Sequence, residues 1–181
     1  MDLVQIDVLY DRDDIKNKVQ LLGKRISEDY AGCELLVVGI LKGAFIFMAD
    51  LVREITIPLE IDFMDVTSYG LSTSSSGEVR IIKDLEYSVQ DKDVLIIEDI
   101  VDTGLTLKHI TEILKTRNPK SIKICCLLDK PSRRKVNIAA DYVGYSIPDR
   151  FVVGYGLDYA EQYRNYPEVC IIKPFKGTNA Q

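Results

Sequence analysis

The chain has 181 residues, 46% of them hydrophobic and 28% charged, with a formal net charge of −5. That length suits one domain with a substantial core, and the acidic balance creates no general field that would draw in nucleic acid. No apolar run approaches the roughly 20 residues that span a bilayer, and Met1-Asp2-Leu3-Val4-Gln5 lacks the basic-then-apolar pattern of a secretory leader, so a cytoplasmic protein is expected. Among the cysteines, Cys125 and Cys126 are adjacent within an apolar run, while Cys33 and Cys170 stand alone. None has the paired spacing of a zinc or redox motif, so reduced thiols acting as small hydrophobes are expected.

In chain order, Ile15, Val19, Leu22 and Ile26 recur at helical spacing behind the acids Asp11, Asp13 and Asp14, with Gly32 as a stop. Leu35 to Leu41 reads as a strand buried on both faces, ending in Lys42-Gly43. A short helix with Phe45, Met48, Leu51 and Val52 inward follows, then a strand from Ile57 to Val66. Ser68-Tyr69-Gly70 through Ser76-Gly77 is polar and serine-rich and reads as a mobile loop, about 68–78, with Val79 to Ile82 returning as a strand. Val94 to Ile97 is a second buried strand. The helix from about Thr106 turns Leu107, Ile110 and Leu114 to one side and stops before Pro119. Further strands are predicted at Ile122–Leu128, Tyr142–Tyr145, Phe151–Tyr155 and Val169–Ile172. Alternating strands and helices predict a single domain over 1–181 with a doubly wound, mainly parallel sheet flanked by helices. The Ile57–Ile82 segment is expected as an antiparallel extension or flap, and the tail 175–181 as frayed.

The segment Val94-Leu95-Ile96-Ile97-Glu98-Asp99-Ile100-Val101-Asp102-Thr103-Gly104-Leu105-Thr106 carries most of the chemistry. In open α/β sheets ligands bind beyond the carboxyl ends of the strands, and the N–H groups of a small-residue loop opening a helix hold phosphate. Carboxylates would repel a bare phosphate. The adjacent Glu98 and Asp99 therefore point to ribose hydroxyls or a phosphate-bound Mg²⁺ between acid and phosphate. Leu41-Lys42-Gly43 and Lys130 also follow buried strands and fall on the same rim. An ammonium only donates hydrogen bonds, so Lys130 would favour an oxo over an amino group.

This segment resembles the phosphoribosyl pyrophosphate (PRPP) signature of the type I phosphoribosyltransferases, and its Glu-Asp-Ile-Val-Asp-Thr-Gly form is similar to the hypoxanthine-guanine branch. Three further blocks match in order, so the resemblance covers about Ile6 to Phe175. It implies that Asp102, Thr103, Gly104, Leu105 and Thr106 hold the 5′-phosphate. Glu98 and Asp99 would engage the ribose hydroxyls, directly or through Mg²⁺. It implies that the Leu41-Lys42-Gly43 turn, which can contain a cis peptide in the family, binds pyrophosphate through its backbone, with help from Lys42 and Arg164, and that Ser68-Tyr69 also bind pyrophosphate and open a mobile lid. In the Phe151-Val152-Val153-Gly154-Tyr155-Gly156-Leu157-Asp158-Tyr159 block, Phe151 would stack on the purine and Val152 would pair through its main chain. Asp158 would help to hold a second Mg²⁺, and Lys130 would donate to the purine 6-oxo group. Asp102 is the candidate catalytic residue, as a general base or as an electrostatic stabiliser. His109, the single histidine, is expected to be half-exposed and non-catalytic. The resemblance further implies a homo-oligomer, dimer or tetramer, with small-molecule substrates and neither nucleic acid nor membrane as partner. Three other readings stay open: transfer to another base, an RNA-binding regulator on the same fold, and a non-catalytic PRPP-sensing subunit.

Overall fold

The computed structural model of the protein describes residues 4–68 and 79–174. Its central sheet has six strands in the order β4-β3-β2-β5-β6-β7: β2 Leu35–Leu41, β3 Leu59–Ser68, β4 Val79–Lys83, β5 Asp93–Val101, β6 Ser121–Asp129 and β7 Tyr142–Ser146. All neighbours are parallel except β3 and β4. The centre is built from the two aliphatic runs, with Leu35 opposite Asp93 and Gly39 opposite Ile97.

Alternate residues of these runs serve opposite faces, as the period of a strand requires. Leu35, Val37, Leu95 and Ile97 pack with α1 (Arg12–Asp29) and α2 (Phe45–Glu54). Leu36, Val38, Val94 and Ile96 pack with Leu107, Ile110 and Leu114 of α3 (Leu105–Lys115). The sheet is therefore covered on both sides, and the predicted doubly wound architecture holds. The acids before α1 act as foreseen: Asp11 caps the helix and Asp14 reaches back to the Asp11 N–H. None of the helices in the described residues is long and apolar enough to cross a membrane. The four thiols are free. Burial pushes those of Cys125 and Cys126 upward, which keeps them protonated and inert.

Three expectations need correction. The first strand, β1 (Val4–Tyr10), was not predicted, because its partner is β9 (Val169–Pro174) at the far end of the chain. With β8 (Val152–Val153) they form a separate antiparallel sheet in the order β1-β9-β8, the hood of the molecule. Second, β3 belongs to the core sheet, parallel to β2, and only β4 runs antiparallel. Third, the strand foreseen over 151–155 shrinks to Val152–Val153, because Gly154 (φ 89°) and Tyr155 (φ 51°) turn the chain away. Tyr69, the rest of the expected loop and the tail 175–181 lie outside the described residues.

Ile96 is fully buried between β2, β5 and α3. Ile96→Ala should lower unfolding free energy by about 2–5 kcal/mol, the usual cost of such a cavity. Urea denaturation checks this, with an unchanged m-value expected.

Candidate active site

The connections of the sheet diverge between β2 and β5. From β2 the chain crosses by α2 outward to β3, and from β5 it crosses by α3 the other way to β6. Brändén's rule places a ligand in the crevice this leaves at the carboxyl ends. The turn after β2 and the loop after β5 meet there, and they carry most of the residues singled out in the sequence.

The turn after β2 contains a cis peptide between Leu41 and Lys42. Gly43 then lies directly against Asp99: a Cβ at this position would stand 1.7 Å from Asp99 Oδ2. Glu98 and Asp99 end the buried part of β5. Asp99 Oδ1 accepts from the Ile100 N–H at 2.7 Å, whereas Glu98 Oε2 is buried with no hydrogen-bond partner. Burial, then the neighbouring Asp99, pushes the Glu98 carboxyl well above its ordinary range. Burial also pushes Asp99 up to about 6, opposed by N–H donors and the Arg164 guanidinium and reinforced by Asp158. This part of the site is short of positive charge and of hydroxyl donors. Among the described residues no three acids, cysteines or histidines converge as a closed metal cage. The donor set instead suits a hard cation that keeps water and ligand oxygens in its shell, as Mg²⁺ does.

Beyond β5, Gly104 takes φ 79° and caps α3 with no side chain of its own, while the Leu105 N–H makes a long bond to Thr103 Oγ1 at 3.4 Å. A Cβ here would meet Ile138 Cγ2 at 2.5 Å, so glycine is required by packing as well as by backbone conformation. The loop borders a cavity of about 90 Å³ lined by Glu98, Asp102, Thr103, Gly104 and Thr106, with Leu105 opening the helix beside it. A helix start whose N-cap residue has no side chain leaves its N-terminal N–H groups open to an anion.

Residues 130–138 fold over this loop. The Arg133 Nε–H donates to Asp102 Oδ1 at 3.1 Å, Arg134 Nη1 donates to the Asp102 carbonyl at 2.7 Å, and the Lys135 N–H donates to the Thr103 carbonyl at 3.0 Å. Lys130 is buried, with its ammonium 3.9 Å from Asp149, and Arg133 Nη1 lies 3.6 Å from the same carboxylate. An ionic chain thus joins Lys130 to Asp102 through Asp149 and Arg133. Phe151 is 54% exposed and packs edge-on against Tyr159, centroids 5.5 Å apart, while Val152 is buried opposite Ile171.

A second ionic group lies beside Asp99. Arg164 donates to the Gly156 carbonyl at 2.8 Å and pairs with Asp158 at 2.9 Å and Glu161 at 3.4 Å. Lys42 pairs with Glu161 at 3.1 Å. Asp158, expected as a metal ligand, is therefore engaged by Arg164 and by the Glu161 N–H. Ser68 ends β3, three residues beyond Asp65, the partner of Leu41 at the end of β2; its side chain and Tyr69 lie outside the described residues. His109 is half-buried on α3. Sequence reading missed Arg133, Asp149, Tyr159 and Glu161. Two signals were present: Tyr159 closes the 151–159 block without a role assigned to it, and the basic run Arg133-Arg134-Lys135 stands three residues after a rim lysine.

Residues 5–160 match the family model for a phosphoribosyl transferase domain. The chain belongs to the phosphoribosyltransferase family. A hypoxanthine-guanine phosphoribosyltransferase of Bacillus subtilis (strain 168) is 57% identical over 167 residues, covering 92% of this chain and 93% of the relative. A protein of the same name from Staphylococcus aureus (strain Mu50 / ATCC 700699) is 56% identical over 168 residues, covering 93% and 94%. A crystal structure of a hypoxanthine phosphoribosyltransferase from Staphylococcus aureus superposes with a TM-score of 0.91 at 55% identity, covering 96% of this chain and 94% of that one. The type I phosphoribosyltransferase fold expected from the signature segment is the fold observed.

Asp99 is ordinarily half-protonated at 3.8. With folded values raised for both acids, the native state holds protons that the unfolded chain has lost as pH rises from about 4. Stability of the ligand-free phosphoribosyltransferase should therefore fall as pH rises through about 6. Glu98→Gln should flatten that fall and raise Tm at pH 7.5 by about 2–8 °C, for a gain of about 1–2 kcal/mol, read by calorimetry across pH. Gly43→Ala should push the Asp99 carboxylate aside and lower phosphoribosyl transfer by about 100-fold or more while the circular dichroism spectrum is unchanged.

Proposed function

We propose that the protein is a purine-salvage enzyme that transfers the 5-phosphoribosyl group of PRPP to N9 of hypoxanthine or guanine, giving IMP or GMP and pyrophosphate. The observation that carries this reading is the single stretch from Glu98 to Thr106, where a half-buried acid pair stands shortly before a helix start capped by glycine. A ribose hydroxyl pair at one end and a 5′-phosphate at the other match those two chemistries. The relatives' shared name supports the choice of purine.

In the proposed reaction the N–H groups of Thr103 to Thr106, with the Asp102 backbone, hold the 5′-phosphate and so fix the sugar. Glu98 and Asp99 accept from the ribose hydroxyls, which gives the orphaned Glu98 oxygen its missing donor. Leu41, Lys42, Gly43 and Arg164 face the pyrophosphate. Bound Mg²⁺ would be held by Glu98 and Asp99, with Asp158 at a second position, and would supply charge neutralisation to the leaving group. Lys130, buried and only loosely paired, donates to the 6-oxo group, Phe151 offers its exposed ring to the base, and Val152 contributes its main chain. Asp102 faces the base and either takes a proton as N9 attacks or stabilises the positive charge that develops. The lid that the resemblance assigns to Ser68-Tyr69 would exclude water from the ribosyl centre. Homo-oligomeric, cytoplasmic operation is part of the same reading and is supported by the family resemblance alone.

Purified protein with PRPP and Mg²⁺ should turn over hypoxanthine and guanine but not adenine or uracil, and EDTA should abolish turnover. Asp102→Asn should lower kcat by about 10²–10⁴-fold. Lys130→Ala should lower kcat/KM for hypoxanthine by about 10–100-fold, as expected for a lost hydrogen bond to a charged group. Turnover of uracil alone would move the chain to a pyrimidine enzyme, and no turnover of any base would overturn the reading.

A further inference from the structure

Glu161 has no role in the mechanism above, yet it touches both cations assigned to the pyrophosphate. A single oxygen, Oε2, lies 3.1 Å from Lys42 Nζ and 3.4 Å from Arg164 Nη2. One anionic oxygen bridging two cations is the contact a phosphate oxygen would make. The side chains of Lys42 and Glu161 are 63% and 67% exposed, so the bridge sits at the mouth of the site, where a ligand arriving from water meets it first. The main chain presenting it is not held by its own preferences. Ala160, Glu161 and Tyr163 all take left-handed φ values, at 52°, 62° and 72°, although none is glycine. That turn is tied down by the Glu161 N–H to Asp158 and by the pairing of Tyr159 with Gln162. Arg164 does not depend on Glu161 for its place, because Gly156 and Asp158 hold the same guanidinium at 2.8 and 2.9 Å.

We propose that Glu161 is a built-in competitor for pyrophosphate: its carboxylate occupies the Lys42–Arg164 anion position in the empty enzyme, yields it to PRPP, and reclaims it to help expel pyrophosphate. This rests on the reading of Lys42 and Arg164 as pyrophosphate-binding residues. Pyrophosphate carries more negative charge than one carboxylate and displaces it. The carboxylate is tethered, so it is always present to compete when the glycosidic exchange is complete. Glu161 thereby weakens ground-state binding of PRPP and product equally at this position, keeping the product from holding the site closed.

The test is calorimetric titration of inorganic pyrophosphate with Mg²⁺ into the wild-type, Glu161→Gln, Glu161→Asp and Glu28→Gln proteins, together with KM values for PRPP and hypoxanthine. Two partly exposed ion pairs correspond to a change of about 3–10-fold. Glu161→Gln should bind pyrophosphate tighter by that factor and lower KM for PRPP in parallel, leaving KM for hypoxanthine unmoved. Glu161→Asp, which keeps the charge, should stay near wild type. Glu28→Gln removes an equal charge from α1, where Glu28 pairs with Lys24, and should change nothing. Weaker or unchanged pyrophosphate binding in Glu161→Gln would show that Glu161 only props the cations, and equal tightening in Glu28→Gln would reduce the effect to net charge; either overturns the proposal. Lys42→Met separates the two layers: if it fails to weaken pyrophosphate binding, the pyrophosphate reading of that position falls, and the proposal with it.

Discussion

The site depends on one costly arrangement, two neighbouring carboxylates drawn out of water where β2 and β5 diverge. Like charges in a poorly solvated place raise each other's proton affinity, and Glu98 keeps an oxygen without any partner. Such a group persists only where the surrounding structure holds it. Here Val94 to Ile97 are fully buried immediately before the pair, and Gly43 presses on Asp99 from the neighbouring strand's turn. Burial of the strand before them and backbone contact from the neighbouring turn hold the half-buried carboxylates in place. The stability lost at this point is the ground for binding something that supplies hydroxyls or a cation.

The cations around the crevice are arranged in the opposite sense. Arg133 pairs with Asp102 and Asp149, Lys130 lies near Asp149, and Lys42 and Arg164 share Glu161. With a net charge of −5 and each of these cations neutralised locally, the protein has little long-range attraction for an anion. On the proposed reading, recognition occurs by exchange at short range, with phosphate oxygens replacing carboxylates on cations already in place. Exchange keeps affinity moderate and makes geometry, rather than field strength, the basis of selection.

The chain's sequence disclosed the parts of this arrangement that are local. Four aliphatic residues followed by Glu98 and Asp99 read as a buried strand end, and the loop around Gly104 announced the amphipathic helix, expected from about Thr106 and observed from Leu105. The doubly wound core followed from alternation of such segments. What escaped were features decided by distant partners. Val4-Gln5-Ile6-Asp7-Val8 alternates as a strand should, but it becomes one only by pairing with Val169–Pro174. The strand at 151–155 stops short because Gly154 and Tyr155 adopt left-handed conformations imposed by the packing of the hood, with the Tyr155 N–H tied to the Tyr166 carbonyl. Arg133 and Glu161 are long, flexible side chains whose partners lie 31 and 119 residues away, at Asp102 and Lys42, and no local pattern encodes such pairs.

The distribution of the proposed roles along the chain has a further consequence. The groups assigned to the ribose and its 5′-phosphate come from one strand, one turn and one helix start, residues 98 to 106, so their mutual distances are fixed by local geometry. The groups assigned to the base and to pyrophosphate come from separate segments: Lys130 after β6, Phe151 and Val152 in the hood, Lys42 after β2, and Arg164 in the loop before β9. Their positions relative to the sugar are set only by tertiary packing, through contacts such as Arg133 with Asp102 and Gly43 with Asp99. A change of base preference can therefore act on residues 130–152 and leave the sugar-phosphate cradle intact. The cradle itself tolerates little, because moving Glu98 or Gly104 moves both ends of a single rigid element.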